Sequence, residues 1–264
     1  MATKLSKKAL ISAFFIAFLY HFPAAAAPLC PQISNLTAPL GVRDHVQWVV
    51  DGDTIHTRTG RKLRLLHINA PEINPKTNKP AEYYANASRE TLVKLAPKNS
   101  EIFLLYDQKL KDRYGRELAL VFNAKGTLIN LQLVKLGASS TMVVPPNEYL
   151  WHCFRKAQKL AQQNRVGLWN SSPQVIKSAR NLTNERNFQW VSGKVSRVKD
   201  SNKYRWIILD DKLWVGIKRN DFQYFSESEL KFKQSDSLTI GGYLYQSYGK
   251  LRVNLRHPAM YSHD

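Results

Sequence analysis

The 264-residue sequence predicts a mainly β chain with a few helices, an α+β arrangement of two small closed barrels in succession. Three observations carry this expectation. Short β-prone runs bounded by Gly, Pro and Asn recur between residues 45 and 144, with a helix-like stretch inserted among them. A longer helical stretch closes that half at Gly167-Leu168-Trp169. Residues 187–264 then hold five more strand-like runs and no long helical one.

The chain opens as an export signal. Lys4, Lys7 and Lys8 precede an apolar run from Ala9 to Phe22, Pro23 breaks it, and Ala24-Ala25-Ala26 offers a cleavage site. The run is shorter than the ~20 residues a membrane span needs. Pro28-Leu29 is a poor run-up to a lipidated Cys30. The expectation is a signal peptide over 1–26 and an exported protein, periplasmic or secreted, with no stable membrane insertion after cleavage.

The first barrel is expected within residues 27–170. Val46 to Thr57 is rich in β-branched residues around Asp51-Gly52-Asp53 and reads as one strand bent at Gly52. Lys62 to Ile68 alternates as a second strand. Residues 73–80 form a basic loop, and 81–96 a helix stopped by Pro97. Ile102 to Tyr106 and Leu118 to Phe122 are strands around a polar loop, 107–117. A short helix over 129–136 ends at Gly137, a natural cap, and 139–144 is β-prone. The last helix runs from near Asn147 to Gly167, with Trp169 packing beyond it. Strand, strand, helix, strand, strand, short helix, strand, helix suits an OB-fold. Residues 171–186 turn polar and read as a linker. The strands of 187–264 suggest a second OB-like barrel.

With 39 Lys and Arg against 20 Asp and Glu, the formal net charge is +19. That points to a polyanionic partner, nucleic acid or an anionic membrane, although a solvated basic surface produces it as well. The two cysteines, Cys30 and Cys153, are too far apart for a zinc knuckle or a redox pair. In an oxidising compartment they are expected to form one disulfide; the other reading is two separate thiols.

Four short motifs carry chemistry. Val50-Asp51-Gly52-Asp53-Thr54 can place hard oxygen ligands on a divalent cation. Arg64-Leu65-Leu66-His67-Ile68-Asn69-Ala70-Pro71-Glu72 sets a cation and a base at a strand's exit. Asp112-Arg113-Tyr114-Gly115-Arg116 offers two guanidiniums and a phenol to a phosphate. Gly167-Leu168-Trp169 is structural. His67 is expected to have a packing or surface role rather than to act as base.

In this order and spacing the motifs resemble the staphylococcal nuclease, or thermonuclease, family over about residues 45–169. The resemblance implies an OB-fold hydrolase that binds one Ca²⁺ and cleaves phosphodiesters of DNA, and possibly RNA, with water. By position, Arg64 and Arg116 are implied to neutralise the transition-state phosphate, and Glu72 to activate water. Arg113 and Tyr114 are implied to contact substrate phosphate. Asp53, Asn69 and the Ala70 carbonyl are implied around the metal, other divalent ions being possible. The three catalytic side chains are expected to be removable without loss of the fold. Two departures stand out. Asn69 replaces an acidic ligand, which should weaken the metal site. Thr141-Met142-Val143-Val144 replaces a stretch that carries nucleotide-facing tyrosines. The alternative reading is a non-catalytic OB-fold nucleic-acid-binding protein. The second barrel is expected to add affinity through Trp190, Trp206, Trp214, Tyr243, Tyr245 and Tyr248, interleaved with Lys194, Arg197, Arg205, Lys218 and Arg252. A chain ending near Ser172 is then expected to cut still, with weaker binding.

Overall fold

The computed structural model describes residues 41–73, 80–171 and 175–263. The expected signal peptide, Cys30 and residues 74–79 of the basic loop lie outside the described residues. Apolar alternation gives the first half its strands: β1 (Val42–Asp51), β2 (Thr54–Thr57), β3 (Lys62–Leu65), the two-residue β4 (Ile68–Asn69), β5 (Glu101–Lys111), β6 (Glu117–Asn123) and the two-residue β7 (Ser140–Thr141). The helices are α1 (Ala85–Leu95), α2 (Ile129–Lys135) and α3 (Trp151–Gln163). β1, β2, β3, β6 and β5 close into a barrel, with β3 parallel to β6 and the β1–β5 seam antiparallel. Val46, Ile55, Leu63, Ile102, Leu104 and Leu120 are buried in its core.

Three local expectations are corrected. The 46–57 run is a hairpin rather than one bent strand: Val49 pairs with Ile55, Asp51 with Thr54, and Gly52-Asp53 make the turn. β-branched residues continue through both arms, so alternation does not reveal the reversal. The 62–68 strand stops at Leu65, because His67 takes a left-handed conformation (φ 64°) and redirects the chain into β4. The helix expected from Asn147 begins at Trp151. The Asn147 amide is engaged elsewhere: it accepts from Lys109 N (2.7 Å) and donates to Lys109 O (2.9 Å). Asp107 Oδ2 likewise accepts from the backbone N–H of Glu148 and Tyr149. These bonds lie along β5, which extends to Lys111 into the stretch expected to be a loop.

Gly137 caps α2 as expected. Its φ is +59°, its N–H donates to Val134 O, and Ala138 N–H donates to Leu133 O. A Cβ there would also lie 2.1 Å from Val166 O, because the cap sits against the end of α3. Leu168 N–H donates to Gly137 O across this contact (2.9 Å), which is the structural reason for the Gly167-Leu168-Trp169 motif.

The second half is built from β8 (Ile176–Ser178), β9 (Phe188–Asp200), β10 (Tyr204–Leu209), β11 (Leu213–Lys218), β12 (Ser237–Ser247), β13 (Lys250–Asn254) and β14 (Tyr261–His263). β9, β10, β11, β13 and β12 form a ring closed by the β12–β9 pairing, with β11 parallel to β13. In each half the first three strands run in order, the third lies parallel to the fifth, and the fourth returns to the first. The OB-fold therefore occurs twice. The expected linker is partly structured, since β8 lies inside it and pairs with β9. The second core also reaches back into the first half. Ala161, Leu168 and Trp169 pack in it, and Trp169 meets Trp190 edge-on at 6.0 Å. His257 and Glu148 add a 2.8 Å hydrogen bond across the junction, and Arg155 and Glu229 an ion pair at 2.9 Å. No helix among the described residues is long and apolar enough to cross a membrane.

Candidate active site

The Gly52-Asp53 turn delivers a buried carboxylate to the edge of the first barrel. Asp53 Oδ2 accepts from Ala70 N–H (2.9 Å) and pairs with Arg64 Nη2 (2.9 Å), and Oδ1 accepts from the Thr54 hydroxyl (3.1 Å). Burial pushes Asp53 up to about 6, against the attraction of Arg64 and with Asp51 adding to the rise. Asp51 Oδ1 in turn accepts from Asp53 N–H at 3.0 Å. Asp51 thus belongs to the acidic cluster, although the sequence had singled out Asp53 alone.

Arg64 is buried and held from several sides. Its Nη1 donates to the carbonyls of Leu65 and Ile68, each at 3.0 Å, and Nη2 approaches Asn69 Oδ1 at 3.4 Å as well as Asp53. Removing this side chain would leave Asp53 buried and unpaired, a change that typically costs ~3–5 kcal/mol. Arg64 is therefore a scaffold group too, contrary to the expectation that it is removable without harm to the fold.

Glu72 is solvent-accessible at the end of the same segment. Its carboxyl is raised above the ordinary value, first by desolvation and then by Asp53 and Asp51. Its backbone is pinned by Glu82: Glu72 N–H donates to Glu82 Oε2 (3.1 Å) and Glu82 N–H donates to Glu72 O (2.9 Å). Arg116 completes the group. Its Nη1 donates to the Thr54 hydroxyl (3.4 Å), and its Nε pairs with Asp112 (2.8 Å). The Asp112 carboxylate also accepts from the backbone N–H of Tyr114 and Arg116, so it shapes the loop that carries them. Tyr114 is exposed, with the Arg113 guanidinium 4.8 Å from its ring centre and Arg113 Nη2 donating to its hydroxyl.

The structure thus links Arg116, Thr54, Asp53, Arg64, Asn69 and Ala70 by direct contacts, with Glu72 in electrostatic reach. Asn69 Oδ1 faces Arg64, and Ala70 contributes its N–H to Asp53. Of the two placements expected for His67, packing or surface, the structure shows packing: its Nε2 is 2.9 Å from Tyr149 O, its ring meets Phe154 edge-on, and burial pushes it down to about 4. Cys153 is buried on α3, and its expected partner Cys30 lies outside the described residues.

Among the described residues, no cluster of three or more His, Cys, Asp and Glu groups could hold a metal ion by itself. The donor set nonetheless suits a hard cation. Burial raises the Asp53 and Glu72 carboxyls first, with neighbouring carboxylates adding to the rise, and Ca²⁺ accepts a mixed shell of carboxylate, carbonyl and water oxygens.

The aromatics of the second barrel divide. Trp190 is core. Trp206 stacks on Tyr204 at 4.7 Å and has the Arg252 guanidinium 4.8 Å from its ring centre; Lys250 Nζ lies 3.6 Å from that of Trp214. The Tyr245 hydroxyl donates to Asn254, and Tyr248 is 89 % exposed. Tyr243 is different: it meets Phe188 edge-on and feels the charges of Arg64, Asp53, Glu72 and Glu82.

The sequence is similar to those of known proteins. The family model described as "Staphylococcal nuclease homologue" matches residues 62–171, which include Arg64, Asn69, Glu72 and Arg116. The thermonuclease of Staphylococcus intermedius is 33% identical over 127 residues, spanning 47% of this chain and 74% of the relative. An uncharacterized protein of Methanocaldococcus jannaschii is 34% identical over 166 residues, 53% of this chain and 79% of the relative. Endonuclease YhcR of Bacillus subtilis is 31% identical over 142 residues, 50% of this chain but 12% of that much longer protein. With its barrel, its Asp53–Arg64 pair and these relatives taken together, the chain belongs to the staphylococcal nuclease family.

Proposed function

We propose that this chain is an exported, Ca²⁺-dependent nuclease that hydrolyses phosphodiester bonds of DNA, and of RNA where it is presented. The observation that carries the reading is the convergence of three carboxylates, Asp51, Asp53 and Glu72, with Arg64 and Arg116 at one edge of the barrel. Asp53 and Asp51 would hold the cation, with Asn69 and the Ala70 carbonyl as neutral donors. When bound, the cation supplies Lewis-acid stabilisation of charge on the phosphoryl oxygens.

The chain's own groups do the rest. Glu72, whose carboxyl burial raises above the ordinary value, is suited to take a proton from an attacking water. The water oxygen bonds to phosphorus as the bond to the 5′ oxygen breaks. The leaving oxygen keeps the electron pair and is protonated, giving 5′-hydroxyl and 3′-phosphate ends as the family resemblance implies. Arg116, and Arg64 behind it, face the negative charge that grows on the non-bridging oxygens. Arg113 and Tyr114 sit on an exposed loop suited to gripping a neighbouring phosphate. Export would place the enzyme where Ca²⁺ is plentiful and a weak site suffices. Incubating supercoiled plasmid with the protein in Ca²⁺ or in EDTA tests the reading: nicking is expected only with Ca²⁺, and intact plasmid under both conditions would refute it.

A further inference from the structure

The first barrel exposes the rings of Trp48, Tyr83, Tyr114 and Tyr149. The segment after α2, Thr141-Met142-Val143-Val144, has no aromatic residue, and Thr141 and Val143 are buried. The second barrel adds an exposed ring next to Phe188, which lines a cleft together with Asn69. Tyr243 on β12 pairs directly with Phe188 on β9, and the two rings meet edge-on at 5.4 Å. Beside this pair, Leu244 N–H donates to Asn187 O, and Asn187 Nδ2 donates to Glu82 Oε1 (3.4 Å). Glu82 is the residue that pins Glu72. A short bonded path therefore fixes Tyr243 relative to the candidate base. A cleft of about 240 Å³ follows this junction, lined by Asn69, Pro71 and Tyr83 on one side and by Asn187, Phe188 and Trp190 on the other, with Tyr243 beyond Phe188.

Resting on the nuclease reading, we propose that Tyr243 is a substrate-positioning residue, whose ring stacks on the base of a nucleotide next to the scissile phosphate. The second OB barrel then forms one wall of the nuclease cleft. Tyr243 is 55 % exposed, and the contact with Phe188 occupies an edge. Its hydroxyl is raised chiefly by desolvation, and it feels the charges of Arg64, Asp53, Glu72 and Glu82, so it lies within electrostatic reach of the reacting centre. Trp206 and Trp214, by contrast, carry tyrosine, lysine or arginine groups over their rings.

The test uses the full chain and a fluorescein-labelled, ten-nucleotide single-stranded deoxyoligonucleotide. Binding is measured by anisotropy in EDTA, where no cleavage is expected, and kcat and KM are measured in Ca²⁺. Tyr243→Ala, and Tyr243→Leu as a bulk-keeping second variant, should weaken binding about 10-fold, as loss of one stacked base does. The loss should appear in KM rather than kcat, and Tyr243→Phe should restore binding to within about two-fold. An abasic site walked along the oligonucleotide should weaken wild-type binding at one position and add nothing in Tyr243→Ala. Unchanged binding in Tyr243→Ala, or an equal added loss at every abasic position, overturns the stacking role. A Tyr243→Phe as weak as Tyr243→Ala overturns it in favour of the hydroxyl. A wild-type protein that binds but never cuts would sink the nuclease reading and with it the positioning role, while a binding loss in Tyr243→Ala would still show the base contact.

Discussion

Gly52→Ala is the substitution whose cost follows most directly from the packing. A Cβ at Gly52 would lie 1.9 Å from Ser88 Oγ, 2.9 Å from Ser88 Cβ and 2.6 Å from Ala70 Cβ. The serine hydroxyl can rotate away. Ala70 has no such freedom, and its Cβ would sit about 1 Å inside the ~3.5 Å at which carbon atoms rest. Either the hairpin turn or the Ala70 backbone must shift by about that distance. The 2.9 Å bond from Ala70 N–H to Asp53 would then stretch beyond hydrogen-bonding range. Overpacking costs about 1–3 kcal/mol and the lost charged hydrogen bond about 1.5–3 kcal/mol, so a destabilisation of about 3–5 kcal/mol is expected. A 1 Å displacement near the chemistry can also cost ~10²-fold in rate. Urea unfolding and single-turnover cleavage read both quantities. Adding Ala70→Gly should return more than half of the lost stability. A Gly52→Ala protein within about 0.5 kcal/mol of wild type and fully active would refute the idea that close packing of this turn positions Asp53.

Three further outcomes are expected. A chain ending at 171 uncovers Ala161, Leu168 and Trp169, so it should unfold at lower urea and bind the hydrophobic dye ANS; this replaces the expectation that it simply cuts with weaker binding, and an undiminished midpoint would contradict it. His257 is fully buried, and desolvation pushes it down to about 4, with His67 adding to the drop. Its folded value lies below the unfolded ~6.5, so stability is full above pH ~6.5 and falls by up to about 3 kcal/mol towards pH ~4. His257→Gln should remove about one proton's worth of that slope, measured as urea stability against pH, and an unaltered slope would count against a buried neutral His257. Asn69→Asp adds a carboxylate beside Asp53 and should lower the Ca²⁺ concentration giving half-maximal cleavage; an equal or higher requirement would remove residue 69 from the metal site.

Most strands of the first barrel were legible from their own alternation and from the Gly or Pro beside them, but the reversal between β1 and β2 and the break at His67 were not. The α2 cap was legible in Gly137, and the motif residues Asp53, Arg64 and Arg116 do come together. Other features depend on contacts between distant segments. Nothing local marks Asn147 as a partner of Lys109 rather than a helix cap, or Trp169 as a partner of Trp190. β8 is three residues long in a polar setting, and only its pairing with β9 makes it a strand. Asp51 was visible in its motif, but its influence on Asp53 and Glu72 emerges only once the hairpin and the Glu72 segment meet. Tyr243 reads as one more barrel aromatic until the two barrels are docked.

The central claim is that Glu72 and Arg116 act on a phosphodiester at a metal-dependent site. Because Arg64 also supports the fold, the more accessible Glu72 and Arg116 give the cleaner test. The decisive measurement is single-turnover cleavage of one labelled deoxyoligonucleotide by wild type, Glu72→Gln and Arg116→Ala, each in Ca²⁺ and in EDTA, at matched folded fractions. Wild type should cut only with Ca²⁺, leaving 3′-phosphate ends, and each variant should be slower by ~10²–10³-fold. Variants that cut at the wild-type rate, or wild-type cleavage that persists in EDTA, would contradict the account.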